Sequence, residues 1–162
     1  SLLRRDNVQI KNIFVGMGGT DKDNYTSLIL KELKNCHFEE GTIINVILGA
    51  NAPWLCDVKN IVMNMPWETR LVINTESIAD FMVEADLAIG APGSMTWERC
   101  ALGLPSILKV TAENQFQGSC EREMNGHSWK IEYKAGYSLE AIINKEKNRK
   151  KKQRKNKEGT NY

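Results

Sequence analysis

Two glycine-rich stretches carry the residue types best suited to hold an anion. The first is Gly16-Met17-Gly18-Gly19-Thr20-Asp21, directly after the apolar run Ile13-Phe14-Val15. The second is Gly90-Ala91-Pro92-Gly93-Ser94, fed by Leu87–Ile89 and followed by Met95-Thr96-Trp97-Glu98. A strand, a glycine turn and a helix start in that order point free backbone N–H groups and a positive helix end the same way. Gly90 and Gly93 let backbone approach a ligand without an intervening Cβ. Two such turns suggest two walls of one site, with a pyrophosphate between them. Gly18, Gly19 and Thr20 would donate from one side; Gly93, Ser94, Met95 and Thr96 would donate from the other. Glu98, one turn into the second helix, can accept hydrogen bonds from vicinal hydroxyls such as those of a ribose. Neither turn contains Lys or Arg, so binding rests on amides and helix dipoles, each charge-assisted bond contributing roughly 1.5–3 kcal/mol. Asp21 can contact a hydroxyl or cap the following helix. Taken singly, each turn also reads as an ordinary βα loop.

Other chemistries fit less well. The dinucleotide fingerprint GxGxxG is met by Gly16 and Gly18, but Asp21 stands where the third glycine belongs. Ile43–Leu48 leads into Gly49-Ala50-Asn51 and offers no acidic residue for a ribose, which disfavours NAD. No Gly-Lys-Ser/Thr follows a glycine turn, so a phosphate-binding loop of the Walker type is absent. Cys36, Cys56, Cys100 and Cys120 show no CxxC or zinc-type spacing and read as thiols of a reducing, cytoplasmic compartment. Neither a metal nor another cofactor is expected. His37 lies in a polar connection and reads as a surface residue; His127 sits in a loop after Gly126. Trp97 reads as core packing in preference to a base-stacking platform.

The elements that must position these residues follow from the hydrophobic pattern. Leu2–Lys11 reads as a linker, with the domain running from 12 to 146 and a basic tail over 147–162. Ile13–Val15 is a strand, and Asp23 or Asn24 caps a helix over Tyr25–Asn35. Ile43–Leu48 is a near-continuous apolar run, as a parallel strand covered on both faces requires. A helix follows over Leu55–Met63, stopped by Pro66; then a strand at Arg70–Ile73. The polar Asn74–Ser77 caps a helix over Ile78–Ala85, which leads to the strand Leu87–Ile89. Thereafter come a helix over Thr96–Leu102 ended by Gly103, a strand at Pro105–Val110, and a helix from Glu113-Asn114-Gln115 to about Asn125. Trp129–Tyr133 is a further strand, and Ser138 caps a last helix. Strands alternating with short helices give an α/β, Rossmann-like, three-layer domain with a parallel sheet, whose ligands bind at the carboxyl ends of the strands.

Composition sets the outer limits. The 162 residues suffice for one domain with a full core, and 41% apolar with 26% charged residues is ordinary for a soluble chain. No apolar run approaches the ~20 residues of a membrane span, and Ser1–Arg5 lacks the apolar stretch of a signal peptide. A start at Ser1 reads as a fragment or a processed chain. The net charge of +2 hides an asymmetry: residues 145–162 hold nine Lys/Arg and two Glu, leaving the remainder at about −5. Recognition of nucleic acid would interleave basic and aromatic residues on a folded surface, and none is expected here. The basic run reads as a frayed, solvated helix end, with weak attachment to an anionic membrane surface as the functional alternative.

Four motifs in order carry a resemblance: Val15–Asp21; Ala85–Cys100; Gly103-Leu104-Pro105-Ser106; and Glu113-Asn114-Gln115. Over roughly Leu2–Gln115 the chain resembles the C-terminal domain of the UDP-sugar hydrolase of pseudaminic acid biosynthesis, which acts on a UDP-linked diacetamido-trideoxy-altropyranose. That family is similar in turn to MurG-like glycosyltransferases of the GT-B fold. The resemblance implies the C-terminal half of a GT-B fold, with UDP held mainly by this half and the catalytic histidine on a separate N-terminal domain. It implies that Glu98 binds the ribose, that Gly19 and Thr20 face the phosphates with Ser94 and Thr96 opposite, and that Asn74-Thr75 lie along the uracil. Glu113, Asn114 and Gln115 would contact sugar or diphosphate. No catalytic residue is expected in this chain. Pro92 departs from a pattern of donors, since it has no N–H to give. A transferase using a UDP-sugar donor, and a non-catalytic nucleotide-sugar-binding module, remain as alternatives.

Overall fold

The computed structural model describes residues 9–18, 21–91, 104–109, 130–133 and 139–159. In chain order these form β1 (Asn12–Gly16), α1 (Tyr25–Lys34), β2 (Ile43–Leu48), α2 (Leu55–Met63), β3 (Glu68–Ile73), α3 (Ile78–Glu84), β4 (Leu87–Gly90), β5 (Ser106–Lys109), β6 (Lys130–Tyr133) and α4 (Leu139–Gly159). The strands make one sheet in the order β3-β2-β1-β4-β5-β6, every neighbouring pair parallel.

Successive strand residues face opposite sides, so β1 feeds two cores at once. Ile13 and Val15 join Ile44, Val46, Leu87 and Ile89 against α1, α2 and α4. Phe14 points the other way, into Ile47, Met82, Ala88 and Leu104, with Phe81 of α3 packed alongside. Ile13, Phe14 and Val15 are fully buried. Each such side chain contributes roughly 1.5–3 kcal/mol of burial free energy. Helices on both faces of a parallel sheet are the three-layer, Rossmann-like α/β arrangement that the alternating pattern predicts.

The elements depart from expectation in three places. Strand β3 starts at Glu68, two residues before the expected Arg70. It lies at the sheet's edge and is only half covered, so its polar first residues pair with β2 without leaving an apolar signature; Glu68 and Arg70 bond each other at 2.7 Å. Neither Asp23 nor Asn24 caps α1. Asn24 is left-handed (φ 55°) and makes no side-chain cap bond. Instead Asn24 N–H donates to the Asp21 carbonyl at 3.0 Å, and this turn folds the Asp21 carboxylate back over the helix start. Ser77 precedes α3 without a side-chain cap bond; its N–H donates to Thr75 Oγ1 at 3.0 Å.

Helix α4 continues through residue 146 into the basic segment. Leu139, Ile142 and Ile143 are buried in the larger core. Lys147 donates to the His37 carbonyl at 3.1 Å and lies over the Phe38 ring, and Lys150 is buried with Nζ 3.3 Å from the Asp86 carbonyl. The body of the domain therefore reaches Lys150; from Lys151 to Gly159 every residue is exposed. Among the described residues no helix is long and apolar enough to cross a membrane. The expected helices over Thr96–Leu102 and from Glu113, and the cap at Ser138, lie outside the described residues.

Candidate functional site

Strands β1 and β4 are neighbours at the centre of the sheet. From β1 the chain winds outward through β2 and β3; from β4 it winds the opposite way through β5 and β6. That reversal is a topological switch point, where an open parallel sheet leaves a crevice beyond its carboxyl ends. The register pairs Gly16 with Gly90, the last residue of each strand. Both glycine stretches thus leave the sheet side by side, about 4.8 Å apart at their roots.

Gly18 holds φ +100°, a value only glycine takes without strain, while among the described residues a Cβ there would meet nothing within 4 Å. The backbone path by itself requires glycine. Asp21 is buried at 8% exposure, with Oδ1 accepting from Tyr25 N–H at 2.9 Å and Oδ2 from Thr26 N–H at 2.8 Å. A carboxylate on two free N–H groups also offsets the positive end of α1. The end of α1 is therefore already occupied by an anion from the chain itself. Thr26 and Ser27 are buried beside it, and the hydroxyl oxygen of each has no hydrogen-bond partner among the described residues.

Asn74 and Thr75 follow β3 on the same rim, but two strands from β1, roughly 10 Å across the sheet. Asn74 is left-handed (φ 54°), and its N–H bonds the Leu48 carbonyl at 2.8 Å, closing the β3 exit against β2. The structure thus gathers Gly18, Asp21, Asn74 and Thr75 on one edge. Gly19, Thr20, Gly93, Ser94, Met95, Thr96, Glu98, Glu113, Asn114 and Gln115 lie outside the described residues, as do Trp97 and His127.

His37 is on the opposite edge. Helix α1 runs back from the carboxyl ends of the strands, and His37 lies beyond its C-terminus, 91% exposed and 2.9 Å from Glu140 of α4. Its neighbour Cys36 is buried, and that burial, reinforced by the Glu140 charge, pushes its thiol up to about 12. A thiol held in the neutral form is a poor nucleophile.

One positioning residue escaped the sequence reading. Asp86 is 4% exposed at the opposite edge of the sheet, just before β4. Its Oδ2 accepts from the N–H groups of Lys11 and Asn12, both at 3.0 Å, and its own N–H donates to the Asn12 carbonyl at 2.7 Å. This clasp fixes the start of β4 against the start of β1, and so fixes Gly90 opposite Gly16 four residues later. Only a lone Asp ahead of an apolar run marks it in the sequence, and nothing local says what it binds.

No family model matches the chain. It is 32% identical over 123 residues to an uncharacterized protein of Methanocaldococcus jannaschii, covering 74% of this chain and 24% of that protein. The chain thus spans about a quarter of the length of that curated relative. Among solved structures it is similar to Anabaena HepE in complex with UDP-glucose, with a TM-score of 0.59 at 16% identity over 85% of this chain and 40% of HepE. The complex of HepE with UDP gives 0.56 at 13% identity, over 83% and 39%. The catalytic domain of the cholesterol-α-glucosyltransferase of Helicobacter pylori gives 0.56 at 11% identity, over 90% of this chain and 99% of that one. The fold is a Rossmann-like α/β domain with a parallel sheet, similar in fold to these GT-B glycosyltransferase-type neighbours. At such identities the likeness extends to the fold alone.

Proposed function

We propose that this chain is the UDP-sugar-binding domain of a nucleotide-sugar hydrolase acting in surface-polysaccharide or pseudaminic acid biosynthesis. The observation that carries this reading is the pairing of Gly16 with Gly90, which brings two glycine turns to the switch point of a parallel sheet. One fold neighbour, HepE, is seen in complex with UDP-glucose and with UDP, which agrees with a nucleoside-diphosphate ligand for such a fold.

In this reading Gly18, Gly19 and Thr20 donate to the diphosphate from one side and Gly93, Ser94, Met95 and Thr96 from the other. Because Asp21 already neutralises the end of α1, the anion is held chiefly at the second turn, and Asp21 serves the first turn by shaping it. Glu98 grips the ribose, Asn74-Thr75 border the uracil, and Glu113, Asn114 and Gln115 face the sugar. A base on a separate N-terminal domain would activate water to release UDP. A glycosyltransferase, in which an acceptor hydroxyl replaces water, is the second reading; the likeness to a glucosyltransferase catalytic domain favours it.

Calorimetric titration with UDP, with NAD and ATP as controls, tests the ligand. UDP-selective binding is expected, weakened roughly tenfold to a hundredfold by Glu98→Ala, the loss of one or two charge-assisted bonds. Selective binding of NAD overturns the reading. Release of UDP from a UDP-sugar by the longer protein, measured with and without acceptor sugars, separates hydrolase from transferase.

A further inference from the structure

The exposed end of α4 is the strongest charge feature of the molecule that the proposed function does not use. Lys151–Gly159 is helical and exposed at every position, with five Lys/Arg and one acidic residue, Glu158. Arg154 is paired with Glu158 at 2.8 Å. Lys151 and Lys155 stand one turn apart, as do Lys152 and Lys155, spacings at which like charges repel along a helix. A helix that keeps such charges on one surface is matched by an extended anionic counterpart.

Three observations select the kind of counterpart. No apolar or aromatic residue occurs between Lys145 and Glu158, so the segment neither inserts into an acyl layer nor stacks on bases. Its attachment point is defined: Lys150 reaches the Asp86 carbonyl at the edge of the sheet opposite the glycine turns. The cations therefore leave the body away from the proposed diphosphate crevice and do not serve it. Residues 1–144 carry a net charge of about −5, so the positive charge is concentrated in the segment from Lys145 onward.

We propose that the exposed end of α4 docks the protein by charge alone on the surface of an anionic lipid bilayer. Clusters of four to eight Lys/Arg without apolar anchors adsorb to anionic headgroups at the surface. Such adsorption needs no groove and no fixed spacing of phosphates. It is weak and reversible, and it leaves the rim bearing Gly18 and Asp21 turned away from the membrane.

Vesicle co-sedimentation tests this. Vesicles of phosphatidylglycerol and phosphatidylcholine in equal parts should sediment the protein, and phosphatidylcholine alone should not. Binding should fall steeply between about 0.1 M and about 1 M salt, as the screening length shrinks from about 10 Å to about 3 Å. Joint substitution Lys151→Gln, Lys152→Gln and Lys155→Gln should weaken partitioning roughly a hundredfold, while the matching Lys→Arg substitutions should retain it. Gln and Lys have similar helix propensity, so circular dichroism should be unchanged by the substitutions. Equal binding to neutral vesicles, undiminished binding of the Gln variant, or tighter binding to duplex DNA than to anionic vesicles at the same salt overturns the proposal.

Discussion

Asp21 and Asp86 are both buried carboxylates that accept two backbone N–H groups, and they act at opposite edges of the sheet. Asp21→Ala removes the cap of α1 and should cost about 0.5–2 kcal/mol in urea unfolding, with Asp21→Asn in between because one acceptor oxygen remains. Asp86→Ala leaves the N–H groups of Lys11 and Asn12 without their acceptor and should cost about 2–4 kcal/mol by the same measurement. Cys36 gives a prediction with a pH window. Its thiol moves from 9.0 to about 12 on folding. Between those values the unfolded chain loses a proton that the folded chain keeps, so stability falls as pH rises through the window. Urea titrations at pH values across it should show this slope in the parent chain and a shallower one in Cys36→Ala. At neutral pH, mass-spectrometric mapping after alkylation should find Cys56, which is exposed, modified well before Cys36.

Helix α4 is two elements in one. Its first three turns bury Leu139, Ile142 and Ile143 beneath the sheet, and its end is fully exposed. Ile143→Ala should therefore destabilise by about 2–5 kcal/mol, and Lys152→Gln by less than about 0.5 kcal/mol, in thermal or urea unfolding. The sequence shows the change in composition near residue 145 but not where packing stops. Glu146, expected within the body, is buried and bonded twice by Arg149, and Lys150 is buried too. Lysine stems pack against apolar surface while the ammonium finds a carbonyl, so charge alone is a poor guide to the boundary. The pair His37–Glu140 joins α1 to α4 on an exposed surface, where such pairs contribute at most about 1 kcal/mol.

At the scale of the whole molecule, β1 and β4 lie at the centre of the sheet and β3 at an edge, so amide exchange should be slowest in β1 and β4, faster in β3, and fastest beyond Lys150. Much of this architecture was legible beforehand. Helix α2 and strand β2 have the bounds their apolar patterns predict, because burial on one face of a helix or both faces of a strand leaves a periodic mark. The parallel sheet followed from alternation of strand and helix. The start of β3 was not legible, since a half-covered edge strand accepts Glu68 and Arg70. The cap of α1 was legible only as a choice: Asp21 takes it, as one of its two expected roles, and not Asp23 or Asn24, because which of the three turns its side chain toward the helix depends on backbone angles that composition does not encode. By itself the sequence determined that two glycine turns follow apolar strands, because chain chemistry and hydrophobic period are local. That the strands leading into these turns end side by side, with Gly16 opposite Gly90, was decided only by tertiary structure. Strand order and register are set by contacts between residues some 75 positions apart, such as those of Asp86 with Lys11 and Asn12, and such pairings leave no periodic trace along the chain.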